Sequence, residues 1–379
     1  MTRWLWRAAW LLLPAAWLVH HFVGRDALTF FASCLSLIPL AKTMGDATEA
    51  LAERMGPATG SLLNATFGNA AELIVGIAAL RHGHVALVKG SLTGSILGNL
   101  LLVAGASIVT GGVRFSRLRF NRLAASSSVA TLFLAVVAMT VPTLLAVGGN
   151  PRYQPRLLSV EIAAVLIVMY ALSLLFSLRT HKVEIQRNES EKGAASGQHP
   201  GPSFQRPAAT GQRPAPSVLA GSWRLAAGSP LFDLGKLLFA AAATAVASEL
   251  LIESLNGTLA TLHLPETFVG VIIVAIVGNA AEHSTALIFA HRGEMDVALG
   301  IAWESSKQIA LLIAPALVFV GLLVGAPMDL AFTRFEVIAL GLSVVALSLI
   351  ALDGETHWLE GAFLLAVYAV LGMGFFFVG

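Results

Sequence analysis

The chain has 379 residues, of which 56% are hydrophobic and only 12% are charged, and its formal net charge is +2. Soluble domains carry about 25% charged residues. This composition excludes an ordinary soluble domain, and we expect a lipid bilayer to cover much of the surface. The basic residues lie in short loops and give no indication of nucleic-acid binding. Cys34 is the single cysteine, which excludes an intrachain disulfide and a thiolate metal cage.

Apolar runs of about 20 residues, long enough to cross a hydrocarbon core of about 30 Å, recur along almost the whole chain. They predict an all-α polytopic membrane protein with about 11 transmembrane helices. The first run follows Arg3 and Arg7; it is interpreted as a retained signal-anchor helix, with a cleaved signal peptide as the alternative. The predicted spans cover residues 4–23, 27–48, 60–80, 85–110, 123–147, 157–179, 233–255, 266–290, 296–324, 331–351 and 358–378.

Basic residues predict the orientation, because Lys and Arg accumulate in short cytoplasmic loops. In an 11-span arrangement three clusters fall on one side, which places the N-terminus in the cytoplasm and the C-terminus outside. Short loops favour a bacterial plasma (inner) membrane, and a vacuolar membrane is the alternative. The clusters are Arg3 and Arg7; Arg114, Arg117, Arg119 and Arg122; and Arg179, Lys182 and Arg187.

An internal repeat is the strongest feature of the sequence. GNAAELIVGIAAL at 68–80 is echoed by GNAAEHSTALIFA at 278–290, with an offset of 210 residues. Upstream, TEALAE at 48–53 is echoed by SELLIE at 248–253. Five spans, an odd number, separate each motif from its copy, so the copies must cross the membrane in opposite directions. Inverted repeats of this kind are typical of secondary transporters with a midplane substrate site.

The repeat divides the chain into four parts. Residues 1–25 form an accessory N-terminal helix, 26–179 the first five-helix repeat, and 233–379 the second five-helix repeat. The intervening segment, 180–232, contains a cytoplasmic linker and a lead-in to the seventh span. It is rich in Pro, Gly, Ser and Gln, which cannot bury a core, so the composition predicts disorder.

The two motifs predict a cation site. Glu72 and Glu282 lie in apolar runs, where an ionised carboxylate costs at least about 2.5 kcal/mol, so each is expected to bind a cation or a proton. Asn69 and Asn279 precede them by three residues and share their helix face. The adjacent glycines can free carbonyl oxygens. Such an all-oxygen set suits Ca²⁺, which takes six to eight hard ligands, better than softer metals.

The paired acids also suggest how transport is coupled. The pair is neutral with one divalent cation bound, and neutral again with two protons bound. When it is empty and ionised, it holds two bare charges in a region of low dielectric constant, which should impede conformational change. Exchange of cation for protons by alternating access is therefore the hypothesis. No separate cofactor is expected, and the oligomeric state is not indicated by the sequence.

With these motifs the chain resembles the calcium/proton exchanger (CAX) family of the cation/calcium exchanger superfamily, over roughly 27–378. The resemblance implies ten core helices and Ca²⁺/H⁺ antiport, with Glu72 and Glu282 as central ligands beside Asn69 and Asn279. It implies Glu49 and Glu249 as outlying carboxylates on the cation or proton route. It also implies a polar lining of the site or pathway by Ser95, Asn99, His283, Ser305, Ser306 and Gln308.

One span departs from that family pattern. In IAWESSKQIAL, Glu304 and Lys307 occupy positions that are usually small or apolar. They stand three residues apart on a helix, so an internal ion pair is one interpretation. The other is that Lys307 projects toward the site and alters its charge.

Other functions fit the sequence less well. A sodium/calcium exchanger or a Mn²⁺/H⁺ exchanger could share this fold, because Mn²⁺ also accepts hard oxygen ligands. A non-transporting membrane binding protein is a further alternative. An intramembrane hydrolase is disfavoured, because neither HExxH nor G-x-S-x-G occurs in the sequence.

Overall fold

Long apolar segments become helices here because a helix satisfies every backbone polar group without water. The computed structural model describes residues 10–55, 60, 63–64, 66–148, 154–195, 230–351 and 353–378, with the backbone alone for 177–195. Nearly all of these residues are helical, which confirms the prediction of an all-α polytopic membrane protein.

We number the spans as they were predicted. Several contain a π-helical segment or a break, so their parts have separate bounds. The helices are Leu12–Leu18 with Val19–Val23 in the first span; Asp26–Met55 in the second; Ala70–Arg81 in the third; Val85–Leu97, Gly98–Val103 and Ala104–Gly112 in the fourth; Arg122–Val147 in the fifth; Pro155–Ala195 in the sixth; Pro230–Glu253 in the seventh; Leu255–Leu262 between spans; Glu266–Phe268, Val269–Val274, Ala275–Gly278 and Ala280–His291 in the eighth; Met295–Gln308, Ile309–Ile313 and Ala314–Leu323 in the ninth; Arg334–Ile350 in the tenth; and Trp358–Val378 in the eleventh.

Eight of the described helices are long and apolar enough to cross a membrane, compared with the 11 spans predicted. A ninth is counted if Leu255–Leu262 and Glu266–Gly278, which meet at 110°, form one span. The predicted first span lies partly outside the described residues, and its described part, Leu12–Val23, is short. The third and eighth spans are shorter than predicted because each is interrupted. The two inverted repeats stay a prediction.

The interruptions occur at the same place in both sequence motifs. Asn69 has φ −104° and ψ 27°, and Asn279 has φ −92° and ψ 6°, so both leave helical geometry. A new helix begins directly after each asparagine, at Ala70 and at Ala280. The Gly-Asn pair therefore forms the break, and the glutamate lies in the first turn of the helix that follows.

The connections between spans lie at two opposite ends of the molecule. At one end, strand Leu118–Arg119 pairs antiparallel with strand Glu355–Thr356, and the backbone N–H of Asn121 donates to Asp296 Oδ1. At the other end, contacts join the loop after the third span to the seventh and eighth spans. The sixth helix continues to Ala195, into the segment for which disorder was predicted, and 196–229 lie outside the described residues.

The fourth and eighth spans cross with their backbones in close contact. A Cβ atom added at Gly94 would lie 2.0 Å from the Val271 carbonyl oxygen. At Gly90 it would lie 2.8 Å from the Thr267 carbonyl oxygen. Both distances are too short for a real side chain, so glycine is required at these two positions. This crossing brings the motif of the second half against the polar face of the fourth span.

Candidate cation site

The two asparagines at the helix breaks are buried and hydrogen-bonded to the opposite half of the chain. Asn279 is 1% exposed, and its Nδ2 donates to Ser95 Oγ at 2.9 Å and to the Ala275 carbonyl at 2.9 Å. Asn69 is fully buried, and its Nδ2 donates to Gln308 Oε1. Each amide group is thus fixed through its donor side, which leaves its oxygen available to a ligand.

The two glutamates are half-buried and lie close to each other. Glu72 contacts the opposite break, since a Cβ atom added at Gly278 would lie 3.4 Å from Glu72 Oε1. The side chain of Ser305 reaches the Glu282 carboxylate. The structure therefore places Glu72 against the helix break of the second motif, and Glu282 against Ser305 of the ninth span.

Three oxygen atoms at this place are buried without a hydrogen-bond partner among the described residues. They are Asn69 Oδ1, Asn279 Oδ1 and Glu282 Oε2. Buried polar atoms are almost always satisfied, so a cluster of unsatisfied ones needs an explanation. An amide oxygen and the oxygens of an ionised carboxylate only accept hydrogen bonds. A cation would satisfy all three atoms, and an added proton would satisfy the carboxylate. The cluster is therefore suited to a cation or to protons.

A narrow cavity of about 10 Å³ lies beside Glu72. That volume is about the minimum for one water molecule. Its polar lining consists of Glu72, Ser91 and Ser95, and its other walls are apolar. Ser91 was not identified from the sequence, although its position four residues before Ser95 places both on one helix face. The cavity therefore has room for one occupant the size of a water molecule next to the Glu72 side chain.

The remaining residues of the predicted lining differ in whether they bond to another span. Asn99 Nδ2 donates to Ser305 Oγ at 3.0 Å, which links the fourth and ninth spans beside the glutamates. Ser306 Oγ instead donates to the Ala302 carbonyl of its own helix at 2.9 Å. His283 is half-buried, and its Nε2 has no partner within the described ranges.

The predicted outlying carboxylates lie away from this cluster. Glu49 is exposed near the end of the second span. Glu249 pairs with His82 Nε2 at 2.8 Å and with Arg81 Nη1 at 3.4 Å, at one end of the molecule. The structure does not bring them together with Glu72 and Glu282, and their role on a route stays a prediction.

The two residues of the ninth span that depart from the family pattern, Glu304 and Lys307, form an ion pair. Lys307 Nζ donates to Glu304 Oε1, as the first interpretation of the sequence predicted. Within the described ranges, no group of three or more His, Cys, Asp or Glu side chains is arranged to hold a metal ion. A cation here would therefore rely on two carboxylates together with amide and hydroxyl oxygens.

Comparison with known proteins agrees with this architecture. The sequence matches the family described as sodium/calcium exchanger protein over residues 26–179 and 233–377. A Ca(2+)/H(+) antiporter of Aphanothece halophytica is 40% identical over 369 residues, which are 97% of this chain and 95% of that protein. A vacuolar calcium ion transporter of Schizosaccharomyces pombe is 36% identical over 371 residues, which are 97% of this chain and 83% of that protein.

A solved structure, that of native YfkE, is similar with a TM-score of 0.77 at 34% identity, and the match covers 98% of this chain and 100% of that one. These matches extend over both halves and over the two glutamate motifs. The chain therefore belongs to the sodium/calcium exchanger family, within its calcium/proton exchanger (CAX) branch.

Proposed function

We propose that this protein is a secondary active antiporter, not an enzyme, and that it exchanges Ca²⁺ for H⁺ across a membrane. The observation that carries the proposal is the convergence of Glu72, Glu282 and two amide oxygens, with three of these groups presenting unsatisfied buried acceptors. Relatives that match almost the whole chain are named as Ca(2+)/H(+) antiporters, which supports the choice of both ions.

The chemistry of the donors favours a hard divalent cation. Oxygen atoms from carboxylates, amides and hydroxyls suit Ca²⁺, which accepts irregular geometry, whereas Mg²⁺ gives up its water reluctantly. Glu72 and Glu282 would supply two negative charges, and Asn69 and Asn279 would supply neutral oxygens. One Ca²⁺ or two protons would neutralise the pair equally well.

Transport of Ca²⁺ is coupled to transport of H⁺ because either one Ca²⁺ or two protons neutralise the glutamate pair. The pair with no cation and no proton would leave two like charges in a region of low dielectric constant, which is costly. Conversion between the two access states is then favourable only when the pair carries Ca²⁺ or protons. The helix breaks at Asn69 and Asn279 provide points where each span can bend during that conversion.

The proposal is tested by reconstituting the protein in liposomes and measuring calcium-45 uptake driven by a pH gradient, with sodium absent. We expect wild type to accumulate calcium and both Glu72→Gln and Glu282→Gln to lose uptake by at least about 100-fold, because each removes a charge that the cation needs. Glu161→Gln is the matched control, since Glu161 is an exposed acid of the sixth span. Uptake that persists in both site variants would refute the assignment of the site.

The same liposomes distinguish the alternative ions. A sodium gradient at equal pH should not drive uptake, and uptake under that condition would favour a sodium/calcium exchanger instead. Competition by Mn²⁺ at concentrations similar to those of Ca²⁺ would extend the substrate range to Mn²⁺/H⁺ exchange. We propose a bacterial plasma membrane with a cytoplasmic N-terminus, because short loops and the basic clusters favour it.

A further inference from the structure

The Glu304–Lys307 pair lies in the ninth span and has no counterpart in the fourth. With the repeat offset of 210 residues, Gly94 stands where Glu304 does, and Leu97 stands where Lys307 does. The Lys307 side chain is 9% exposed, whereas that of Glu304 is 60% exposed. The two halves therefore differ by a charged pair within a membrane span. The ammonium group of that pair, on Lys307, is buried inside the protein.

Lys307 is adjacent in sequence to the residues that hold the candidate site. Gln308, the next residue, accepts the hydrogen bond from Asn69, and Ser305 accepts one from Asn99 and reaches Glu282. A helix rises 1.5 Å per residue, so these positions lie within about one turn along the axis. The π-helical segment Ile309–Ile313 begins directly after them, and π segments often mark functional places in helices.

A buried ammonium group without a counter-charge is strongly unfavourable. In the described part of the chain, Glu304 is the carboxylate with which Lys307 forms an ion pair. If Glu304 lost its charge, the lysine would need another acid, and its four-carbon stem is flexible. Glu282, whose carboxylate is reached by the side chain of Ser305, is an acid of the candidate site held within about one helical turn of Lys307 along the ninth span.

We infer that Glu304 is a positioning residue that keeps the Lys307 ammonium group away from the two-glutamate site, and so preserves the double negative charge that a divalent cation needs. This inference rests on the proposed function. It identifies Glu304 and Lys307 as determinants of cation affinity rather than as ligands. Their effect is therefore on the calcium concentration at half-maximal transport, with little effect on the maximal rate.

The test is a mutant cycle of Glu304→Gln, Lys307→Leu and the double variant, where leucine is the residue found at the equivalent position 97. For Glu304→Gln we expect the half-saturating calcium concentration to rise about tenfold, as a released positive charge near the site would require. Lys307→Leu and the double variant should stay within about threefold of wild type, because the competing cation is gone. Calcium-dependent thermal stabilisation in detergent checks binding independently of transport.

The outcomes separate this inference from the proposed function. If Glu304→Gln folds normally and keeps its half-saturating concentration within about twofold of wild type, or if the double variant is as impaired as Glu304→Gln, the inference is overturned. A purely structural ion pair would instead lower thermal stability in both single variants and leave half-saturation unchanged. Glu72→Gln and Glu282→Gln in the same assay report on the proposed function itself, so its failure is visible separately. Glu161→Gln again serves as the control.

Discussion

The fourth and ninth spans each carry polar residues to the candidate site, with Ser95 and Ser305 at equivalent positions, but they pack differently around it. The fourth presses its backbone against the eighth span at Gly90 and Gly94. At the equivalent Gly300 of the ninth span, no atom of a described residue lies within 4 Å of an added Cβ atom. Glu304 then occupies the position of Gly94. A shared motif therefore places the candidate ligands in both halves, and packing decides where a charged side chain can be accommodated.

The largest effect on stability is expected at Gly94, where the fourth span packs most closely against the eighth. Gly94→Ala would place a Cβ atom 2.0 Å from the Val271 carbonyl oxygen, and backbone on both sides cannot move away easily. We expect a loss of about 3 kcal/mol in stability, at the upper end of the usual cost of overpacking. Thermal unfolding in detergent measures it. Gly300→Ala, at the position equivalent to Gly90, is the control in the other half, and an equal loss in both variants would remove the asymmetry.

Substitutions at the two helix breaks should have similar effects on calcium affinity. Asn69→Ala and Asn279→Ala each remove an oxygen from the candidate site, so we expect the half-saturating calcium concentration to rise about tenfold in both. Asn121→Ala provides the control, because Asn121 caps the fifth span through Ala124 and has no contact with the site. If only one of the two site variants changed affinity, the cation would be bound mainly by one half.

A smaller effect is expected from the serines that support the site. Ser95 accepts the hydrogen bond that orients Asn279, whereas the equivalent Ser305 accepts from Asn99. Loss of one such bond costs about 1 kcal/mol, which corresponds to about a fivefold loss of calcium affinity for Ser95→Ala. Titration of calcium binding measures it. Asn69 is held by Gln308 rather than by Ser305, so the combination of Ser305→Ala with Asn69→Ala should be additive. Strong non-additivity would mean that the mirrored bond forms in another state.

The smallest effect is expected at the end of the molecule. Glu249 pairs with Arg81 and His82, and these side chains are between 36% and 60% exposed. Exposed ion pairs contribute about 0–1 kcal/mol, so Glu249→Gln should change thermal stability and calcium affinity very little. A loss of transport in this variant, with binding intact, would instead identify Glu249 as part of the cation or proton route.

Much of the fold was predictable from the sequence because membrane spans have a simple physical signature. Apolar length identified the helices, and the repeated Gly-Asn pair indicated where two of them depart from helical geometry. The number of continuous spans was not predictable, since hydrophobicity does not show a break such as that at Asn279. The repeat indicated the candidate residues of the site, but not their hydrogen-bond partners. That Asn69 bonds to Gln308 while Asn279 bonds to Ser95 depends on how the spans cross.

The Glu304–Lys307 pair also shows that sequence spacing predicts a contact but not the burial of the side chains that make it. Spacing of three residues predicted contact between the two side chains, and the structure has that contact. Spacing did not indicate that the lysine would be buried while the acid stays exposed, because burial depends on how the ninth span packs against the fourth, fifth and eighth spans. Ser91 was missed for a similar reason, since nothing in its local sequence distinguishes it from other small residues of the fourth span.

The proposed exchange requires that a divalent cation and protons occupy Glu72 and Glu282 alternately. The most direct measurement is proton release from purified protein in weakly buffered detergent solution when calcium is added. We predict that wild type releases protons as calcium binds, that Glu72→Gln and Glu282→Gln each release fewer, and that the double variant releases none. Calcium binding to wild type without proton release, or undiminished release from the double variant, would contradict the account.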